Sequence, residues 1–208
     1  MKFSKKYTIP IAVLLLVLVI DQTVKIWIKT TMVIDTEIPI FGDWAKIHFT
    51  ENVGMAFGMN FGGEIGKILL SLFRVVLVCV IGSYLFRWIK KAVPMGIIIG
   101  VTLIFAGALG NIIDSLFYGL IFSDSYNQVA TVFQGGYAPF LQGRVVDMFY
   151  FPMIKTTFPS WFPFWGGEKF TFFNPIFNVA DSAITVGIAY LLLFQRKYLI
   201  RSRKVKTE

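Results

Sequence analysis

The sequence predicts an all-α membrane protein with four transmembrane helices, both termini in the cytoplasm, and a small interfacial extracytoplasmic lobe that contains some β structure. Of the 208 residues, 56% are hydrophobic and only 15% are charged, whereas about 25% of a typical soluble domain is charged. The apolar residues also fall into four runs of about 20 residues, and at about 1.5 Å per residue each run can cross a hydrocarbon layer of about 30 Å. This composition argues against a soluble enzyme and against a disordered chain.

Each predicted span has its own local signal. The first begins with an unbroken apolar run from Ile9 to Ile20, and the third carries no charge before Asp114. The second ends in basic residues, and the fourth follows Asn174-Pro175, a capping amide before a proline at the first helical position. The predicted spans cover about residues 9–28, 65–88, 92–113 and 175–194.

Basic residues predict the orientation of these spans. The N-terminus, the turn at residues 87–91 and the tail from Arg196 to Lys206 together hold 12 of the 20 lysines and arginines. Because cytoplasmic loops carry an excess of lysine and arginine, these three places are predicted to be cytoplasmic. The net charge of +8 is therefore interpreted as a topology signal, with contact to membrane lipids, and nucleic acid is not expected as a partner.

Two segments are then predicted to lie outside, at about residues 29–64 and 115–174. The second is rich in aromatic residues, including the run from Phe158 to Trp165. Aromatic side chains of this kind favour the membrane interface, so we expect a small folded lobe lying on the bilayer. The chain has no repeat and no low-complexity linker, and we interpret residues 1–208 as a single membrane domain.

Polar residues inside three spans are predicted to lie at one depth, near the outer surface. Asp21 is about 18 Å along the first span and Lys25 about 24 Å, at about 1.5 Å per residue. Asn111 and Asp114 end the third span, and the polar pair Asn178 and Asp181 opens the fourth. Polar groups within a span are costly and so are candidates for function. Their shared depth predicts one common site.

The spacing of these residues supports the common site but leaves their roles open. Asp21 and Lys25 are four residues apart, which suits an ion pair on one helix face. They are interpreted first as a structural pair, with a role in the common site as the alternative. Asn111 and Asp114 are three apart and share a face, either in a structural hydrogen-bond network or in direct contact with a substrate. Gly107 and Gly110 are predicted to permit close helix packing.

The residue inventory restricts the chemistry. A single cysteine, Cys79, excludes an internal disulfide and a cysteine-based zinc site, and the single His48 excludes a histidine cluster; no metal and no cofactor is expected. Two close carboxyl groups share a proton, so one can activate water while the other polarises a carbonyl group. Asp147 stands among apolar neighbours, where desolvation is expected to raise its pKa. Carboxylates alone therefore suit aspartic peptide hydrolysis or, alternatively, a proton relay in a small proton-coupled transporter.

Five short motifs carry a resemblance to a known family. They occur in the family's order and extend from the first span to the fourth: Asp21-Gln-x-x-Lys25, Asn52-x-Gly-x-Ala-Phe57, Gly107-Ala-Leu-Gly-Asn-Ile-Ile-Asp114, Val145-Val-Asp147 and Phe177-Asn-Val-Ala-Asp181-Ser. In this combination the chain resembles lipoprotein signal peptidase, or signal peptidase II.

The resemblance implies an aspartic endopeptidase of the bacterial inner membrane, active on its extracytoplasmic side. Such an enzyme cuts the signal peptide of a prolipoprotein just before the diacylglyceryl-modified cysteine, and it is a target of globomycin-class cyclic peptides. Carried over by position, Asp147 and Asp181 would form the catalytic pair. The residues that would line or support the site are Asn52, Gly54, Asn111, Asp114, Asn178 and Ala180, with Asp21 and Lys25 holding the first span in place. A monomer is expected.

Two departures from the family pattern stand out. The family usually has arginine directly after the acid of Asn-x-x-Asp, where this chain has Ser115, and Arg144 is a candidate substitute. The stretches of 32 and 33 residues on either side of Asp147 are longer than usual for the family, and they are expected to form an extra lobe or a lid. The transporter alternative predicts acids nearer the membrane midplane and inverted repeats, and neither is found.

Overall fold

Four apolar helices dominate the structure, a computed structural model that describes residues 5–52, 63–91 and 93–198. Three helical segments are long and apolar enough to cross a membrane, and a fourth apolar helix is shorter, with 16 residues. The orientation of the termini stays a prediction. The helices are α1 (Lys5–Thr31), α2 (Gly63–Lys90), α3 (Met95–Ile113), α4 (Gly119–Ile121) and α5 (Val179–Phe194), and a π-helical turn, Asp114–Tyr118, joins α3 to α4.

Two predicted boundaries are wrong. The fourth span was expected to start at Asn174-Pro175, but α5 starts at Val179, and Asn178 is its cap. The cap side chain accepts a hydrogen bond from the backbone N–H of Asp181, and the Asp181 carboxylate accepts one from the backbone N–H of Asn178. This reciprocal capping sets the helix start. Residues 115–121, expected in the outer segment, instead continue the helical segment of α3.

The first helix divides into a lipid-facing surface and one polar stripe. Large apolar side chains such as Leu16 and Val19 are more than half exposed, as expected for residues that face lipid. Asp21, Lys25 and Lys29 are fully buried and recur every four residues, which places them on one face. This face packs against α3 and α5.

Close packing of α3 on α5 depends on a glycine. A Cβ atom on Gly107 would lie 2.2 Å from the carbonyl oxygen of Ala180, so a side chain at this position would push the helices apart. A Cβ atom on Gly110 would lie 2.7 Å from the Asp21 carboxylate. The predicted role of these glycines in close packing is confirmed, and Gly110 also makes room for a carboxylate.

The predicted β structure is present. The strands are β1 (Glu37–Phe41), β2 (Ala45–Asn52), β3 (Val145–Tyr150), β4 (Ile154–Thr157), β5 (Lys169–Phe172) and β6 (Ile176–Phe177). Four of them form an antiparallel sheet in the order β1-β2-β3-β6, and β4 pairs with β5 as a separate hairpin.

A small apolar core joins this sheet to the end of α1. Val146 and Met148 of β3 lie in it with Phe49 of β2 and Ile28 of α1, and all four are fully buried. Because side chains alternate along a strand, Asp147 points to the opposite face of β3, where α5 begins. The core therefore holds the Asp147 carboxyl group against the helix bundle.

Candidate active site

A buried ion cluster lies where α1 meets α3. The Lys25 ammonium group is 3.0 Å from the Asp21 carboxylate and 2.8 Å from the Asp114 carboxylate, and all three side chains are fully buried. It also donates a hydrogen bond of 2.9 Å to the side-chain oxygen of Asn111. The pair predicted from the four-residue spacing therefore exists, and a second carboxylate shares its cation.

The two carboxylates of this cluster also hold neighbouring backbone. Asp21 accepts a hydrogen bond of 2.8 Å from the backbone N–H of Ala180, in the first turn of α5. Asp114 accepts one of 3.3 Å from the backbone N–H of Val146 in β3. A carboxylate at a helix N-terminus satisfies an otherwise unpaired N–H and interacts favourably with the helix dipole. The cluster thus fixes α5 and β3, the two elements that carry Asp181 and Asp147.

Two residues of this cluster were not expected. Gln22 donates hydrogen bonds of 3.0 Å to both Asp21 and Asp114, and the Tyr118 hydroxyl donates one of 3.2 Å to the Gln22 side-chain oxygen. Gln22 follows Asp21 directly inside a family motif, and that position was the available signal. Tyr118 lies in the π-helical turn, which the sequence did not predict.

Two asparagine side chains connect the ion cluster to Asp147 and Asp181. Lys25 can only donate hydrogen bonds, so its contact identifies the oxygen of the Asn111 amide and leaves the NH₂ group to donate to Asp181 at 2.8 Å. The oxygen of Asn178 is likewise identified by the backbone N–H of Asp181, and its NH₂ group donates to Asp147 at 2.6 Å. Each carboxyl group therefore receives a hydrogen bond from an amide whose orientation is determined by its other contact.

Asp147 is in an environment that favours its protonated form. Its side chain is buried, and this burial together with the negative charge of Asp181 raises its pKa to about 7, while hydrogen bonds from Asn178 and Asn52 lower it. The predicted rise of this pKa by desolvation is confirmed. Asn52 therefore lies at the site, and Gly54 lies outside the described residues.

Arg144 does not form an ion pair with Asp114. Its guanidinium group pairs with Glu51 at 2.9 Å and with Asp124 at 3.2 Å, and it lies over the ring of Tyr137. Lys25 forms the ion pair with Asp114 instead. The Ser115 hydroxyl donates a hydrogen bond to the backbone oxygen of Asn111. The expectation that Arg144 substitutes for the family arginine at Asp114 is wrong, because Glu51 of β2 and Asp124 of the loop after α4 attract it instead.

Arg144 belongs to a second buried ion cluster, which the sequence did not predict. Lys29 pairs with Glu51 and donates a hydrogen bond of 2.8 Å to Ser125, and both charged side chains are almost completely buried. The Lys29 ammonium group also lies 4.8 Å from the centre of the Tyr137 ring. This cluster ties the end of α1 to β2 and to the loop after α4.

A cavity of about 250 Å³ opens beside Asp181 between α2, α3 and α5. Asn111 and Asp181 form its polar side together with Arg74, and most of the remaining lining is aliphatic. The cavity thus has a largely apolar wall beside an amide, a carboxylate and a guanidinium group. Among the described residues, no group of three histidine, cysteine, aspartate or glutamate side chains is arranged to hold a metal ion.

Comparisons with known proteins find similar sequences and a similar fold. Residues 13–196 match the family model of signal peptidase (SPase) II. The lipoprotein signal peptidase of Porphyromonas gingivalis is 50% identical over 185 residues, which cover 88% of this chain and 80% of that protein. That of Amoebophilus asiaticus is 36% identical over 88% of this chain and 75% of its own length. A solved bacterial membrane enzyme has the same fold, with a TM-score of 0.59 at 23% identity, covering 92% of this chain and 89% of that one.

Proposed function

This chain belongs to the signal peptidase II family and is a peptidase of lipoprotein signal peptides, and from that premise we propose that it uses Asp147 and Asp181 as an aspartic catalytic pair. The proposed substrate is a prolipoprotein whose cysteine carries a diacylglyceryl group. The bond that is cut lies just before this cysteine.

One observation carries the proposal. Asp147 and Asp181 each accept a hydrogen bond from an amide held in one orientation, Asn178 by the backbone N–H of Asp181 and Asn111 by Lys25. Asp181 also lines the cavity between the helices. The negative charge of Asp181 also acts on Asp147. Two carboxyl groups that interact in this way share a proton, which is the state that aspartic hydrolysis needs.

The mechanism follows from that shared proton. The ionised carboxylate takes a proton from a water molecule as the water oxygen attacks the scissile carbonyl carbon. The protonated carboxyl group donates its proton to the developing oxyanion. The C–N bond then breaks as the leaving amine takes the proton that the first carboxyl group removed from water. The second carboxylate recovers its proton from a hydroxyl group of the tetrahedral intermediate, and the signal peptide departs with a new carboxyl terminus. Acid–base assistance of this kind contributes roughly 10²- to 10⁴-fold to the rate.

The remaining site residues act as support in this proposal. Lys25 orients Asn111, Asp21 holds the start of α5, and Asp114 holds β3. Asn178 orients Asp147 directly, and Ala180 supplies the N–H that Asp21 accepts. As the family resemblance implies, Asn52 and Gly54 would line or support the site.

The setting of the reaction is part of the proposal. The protein would reside in the bacterial cytoplasmic membrane as a monomer, with the catalytic pair on the extracytoplasmic side. The lipidated precursor would enter sideways from the bilayer, so that its acyl chains stay among membrane lipids. Cyclic peptides of the globomycin class would compete for the same cavity.

A cleavage assay on a lipidated precursor tests this function. Purified protein in detergent is incubated with a diacylglyceryl-modified prolipoprotein, with and without globomycin, and the products are mapped by mass spectrometry. We expect a single cut before the modified cysteine, inhibition by globomycin and no cut in the unlipidated precursor. A well-folded protein that leaves the lipidated precursor intact would contradict the proposal, and proton-coupled transport would then be measured in vesicles.

A further inference from the structure

An amphipathic hairpin stands apart from the sheet that carries the candidate site. β4 and β5 pair only with each other among the described strands. A two-stranded hairpin is marginally stable at best in water without a partner for its apolar face. This hairpin therefore requires cover from something outside the sheet.

The strand register divides the hairpin into two unlike faces. Side chains directly opposite each other share a face, and successive residues alternate between faces. One face is mainly apolar and aromatic, and the other is polar with two lysines. The pairs on the apolar face are Ile154 with Phe172 and Thr156 with Phe170, and those on the polar face are Lys155 with Thr171 and Thr157 with Lys169.

The loop that joins the two strands extends the apolar face into an aromatic tip. The ring of Phe158 lies 5.2 Å from that of Phe170 on β5 and 4.9 Å from that of Phe162 in the loop. Beyond this stack, Trp161 and Phe164 are 78% and 94% exposed. Large aromatic side chains exposed together in one loop mark an interaction surface.

The ends of the hairpin are tied to the place where an apolar helix begins. Only residues 151–153 separate β4 from the strand that carries Asp147, and only residues 173–178 separate β5 from the start of α5. The hairpin is therefore held close to the membrane surface at which α5 starts. Of the surfaces it can reach, the lipid interface matches an aromatic tip beside an apolar face.

We propose that the hairpin docks on the bilayer, with its aromatic tip and apolar face in the interfacial layer and its lysines on lipid phosphates. Aromatic side chains suit this layer because one part of the ring system meets apolar chains while another stays wet. Lys155 and Lys169 complement the negative charge of anionic headgroups. The hairpin is then an anchor that steadies the sheet edge next to the candidate site.

Tryptophan quenching tests the docking. A variant that keeps Trp161 and has phenylalanine at the other four tryptophan positions is placed in bilayers of phosphatidylcholine and phosphatidylglycerol. Lipids brominated near the headgroup end of the acyl chain are expected to quench its fluorescence, and iodide in the water is expected to quench it several-fold less than free N-acetyltryptophanamide. A matched variant that keeps only Trp88, in the last turn of α2, gives the response of a residue at the end of a predicted span.

The outcomes separate lipid from other partners. Strong iodide quenching with no effect of brominated lipid would overturn the proposal. Protection of Trp161 only after a lipidated precursor is added would also overturn it and would assign the hairpin to the substrate. A Lys155→Gln/Lys169→Gln variant that lowers lipid quenching only when phosphatidylglycerol is present would support the contact with phosphate.

A second inference rests on a different observation, the cavity beside Asp181. Arg74 of α2 lines it opposite the α3 and α5 residues, and its charge acts on both Asp181 and Asp147. The family arginine after Asn-x-x-Asp is replaced by Ser115, and Arg144 is held by Glu51 and Asp124. Within the described ranges, Arg74 is the cationic side chain in the lining of this cavity.

We infer that Arg74 is a positioning residue for the substrate, an inference that rests on the proposed function. Its guanidinium group would donate to main-chain carbonyl oxygens of the signal peptide beside the scissile bond, and its charge would favour the ionised member of the carboxyl pair. A guanidinium group presents several donors in a rigid fork and suits such contacts better than an ammonium group does.

Kinetics on Arg74 variants test this role. Arg74→Met is expected to lower kcat/KM about 100-fold, in the range measured for removal of one transition-state hydrogen-bond donor, and Arg74→Lys is expected to recover part of the loss. Removal of the cation favours the protonated pair, so the alkaline limb of the pH–rate profile is expected to move to higher pH in Arg74→Met. Arg87→Met, an exposed arginine on the same helix, is the matched control.

The results distinguish this inference from the function itself. A wild-type protein that does not cut the lipidated precursor means that the proposed function has failed. A wild-type protein that cuts it, with Arg74→Met equal in rate and pH profile, overturns the role of Arg74 alone. Equal losses in Arg74→Met and Arg87→Met would also overturn it.

Discussion

Two lysines of α1, one helical turn apart, organise two different buried ion clusters. Lys25 neutralises Asp21 and Asp114 and leads through Asn111 to Asp181. Lys29 pairs with Glu51, which also binds Arg144, and this cluster ends at a partly exposed acid, Asp124, in a loop. Position on one helix face does not decide function. The difference lies in what each cluster orients, because the first leads to the candidate catalytic carboxyl groups and the second leads to the sheet.

The balance of charge also differs between the clusters. In the Lys25 cluster two acids share one cation, whereas in the Lys29 cluster two acids share two cations, Lys29 and Arg144. Loss of the lysine therefore leaves the first cluster without a cation and leaves the second with one. The consequences of equivalent substitutions should differ accordingly.

Lys25→Met is expected to have the largest effect. It leaves two buried carboxylates facing each other, and breaking a buried ion pair costs about 3–5 kcal/mol of unfolding free energy. Peptidase activity is expected to be lost with it. Thermal unfolding in detergent and the cleavage assay check both effects. Lys25→Met/Asp114→Asn should regain part of the stability but not the activity, and normal activity in either variant would contradict the role of the cluster.

Asp147→Asn tests the protonation of a carboxyl group near the first cluster. The folded-state pKa of Asp147, about 7, lies above its ordinary value of 3.8, so the native state holds this proton more tightly than the unfolded chain does. Its contribution to stability is therefore lost as pH rises from about 4 to 7, on the order of a few kcal/mol by linkage.

Asparagine resembles the protonated acid and does not titrate. The melting temperature of Asp147→Asn minus that of the wild type should therefore rise between pH 5 and pH 8. An unchanged difference at the two pH values would contradict the raised pKa.

Lys29→Met is expected to reduce stability without removing activity. Glu51 keeps Arg144 as a partner at 2.9 Å, so we expect a loss of about 1–3 kcal/mol, the cost of an unsatisfied buried group. Unfolding is compared with the rate per folded molecule at a temperature where the variant is folded. Lys29→Met/Glu51→Gln should be more stable than the single variant. Loss of catalysis in a folded Lys29→Met protein would remove the distinction between the clusters.

Asp124→Asn is expected to have the smallest effect. The carboxylate is 40% exposed, and such ion pairs contribute about 0.2–1 kcal/mol. A change of melting temperature of no more than a few degrees, with unchanged cleavage, is the expected result. A larger change would mean that Arg144 depends on Asp124 to stay over Tyr137.

Local sequence patterns predicted part of this site. They did not predict the features that depend on contacts between residues far apart in the sequence. The pair of Asp21 and Lys25 follows from a four-residue spacing, and the apolar runs place the helices. The start of α5 was predicted four residues too early. It depends on the pairing of β6 with β3 and on Asp21, which lies 159 residues away from Ala180. Such contacts leave no periodic signal in the sequence.

The ion-pair partner of Asp114 also could not be predicted from local sequence patterns. The motif comparison directed attention to Arg144, which is close in sequence to Asp147. Lys25 takes this place because α1 crosses α3 at that level, and Glu51 and Asp124 attract Arg144. The second ion cluster was not predicted, because Lys29 was assigned to the start of an outer segment. In the structure α1 continues to Thr31.

The central claim is that Asp147 and Asp181 together activate water, and cleavage by their asparagine variants tests it most directly. Asp147→Asn, Asp181→Asn and the control Asp124→Asn are purified, checked for folding, and given the lipidated precursor in excess enzyme. The account predicts that each of the first two loses cleavage by at least about 10²-fold and that the control matches the wild type. Cleavage at the wild-type rate by folded Asp147→Asn or Asp181→Asn would contradict it.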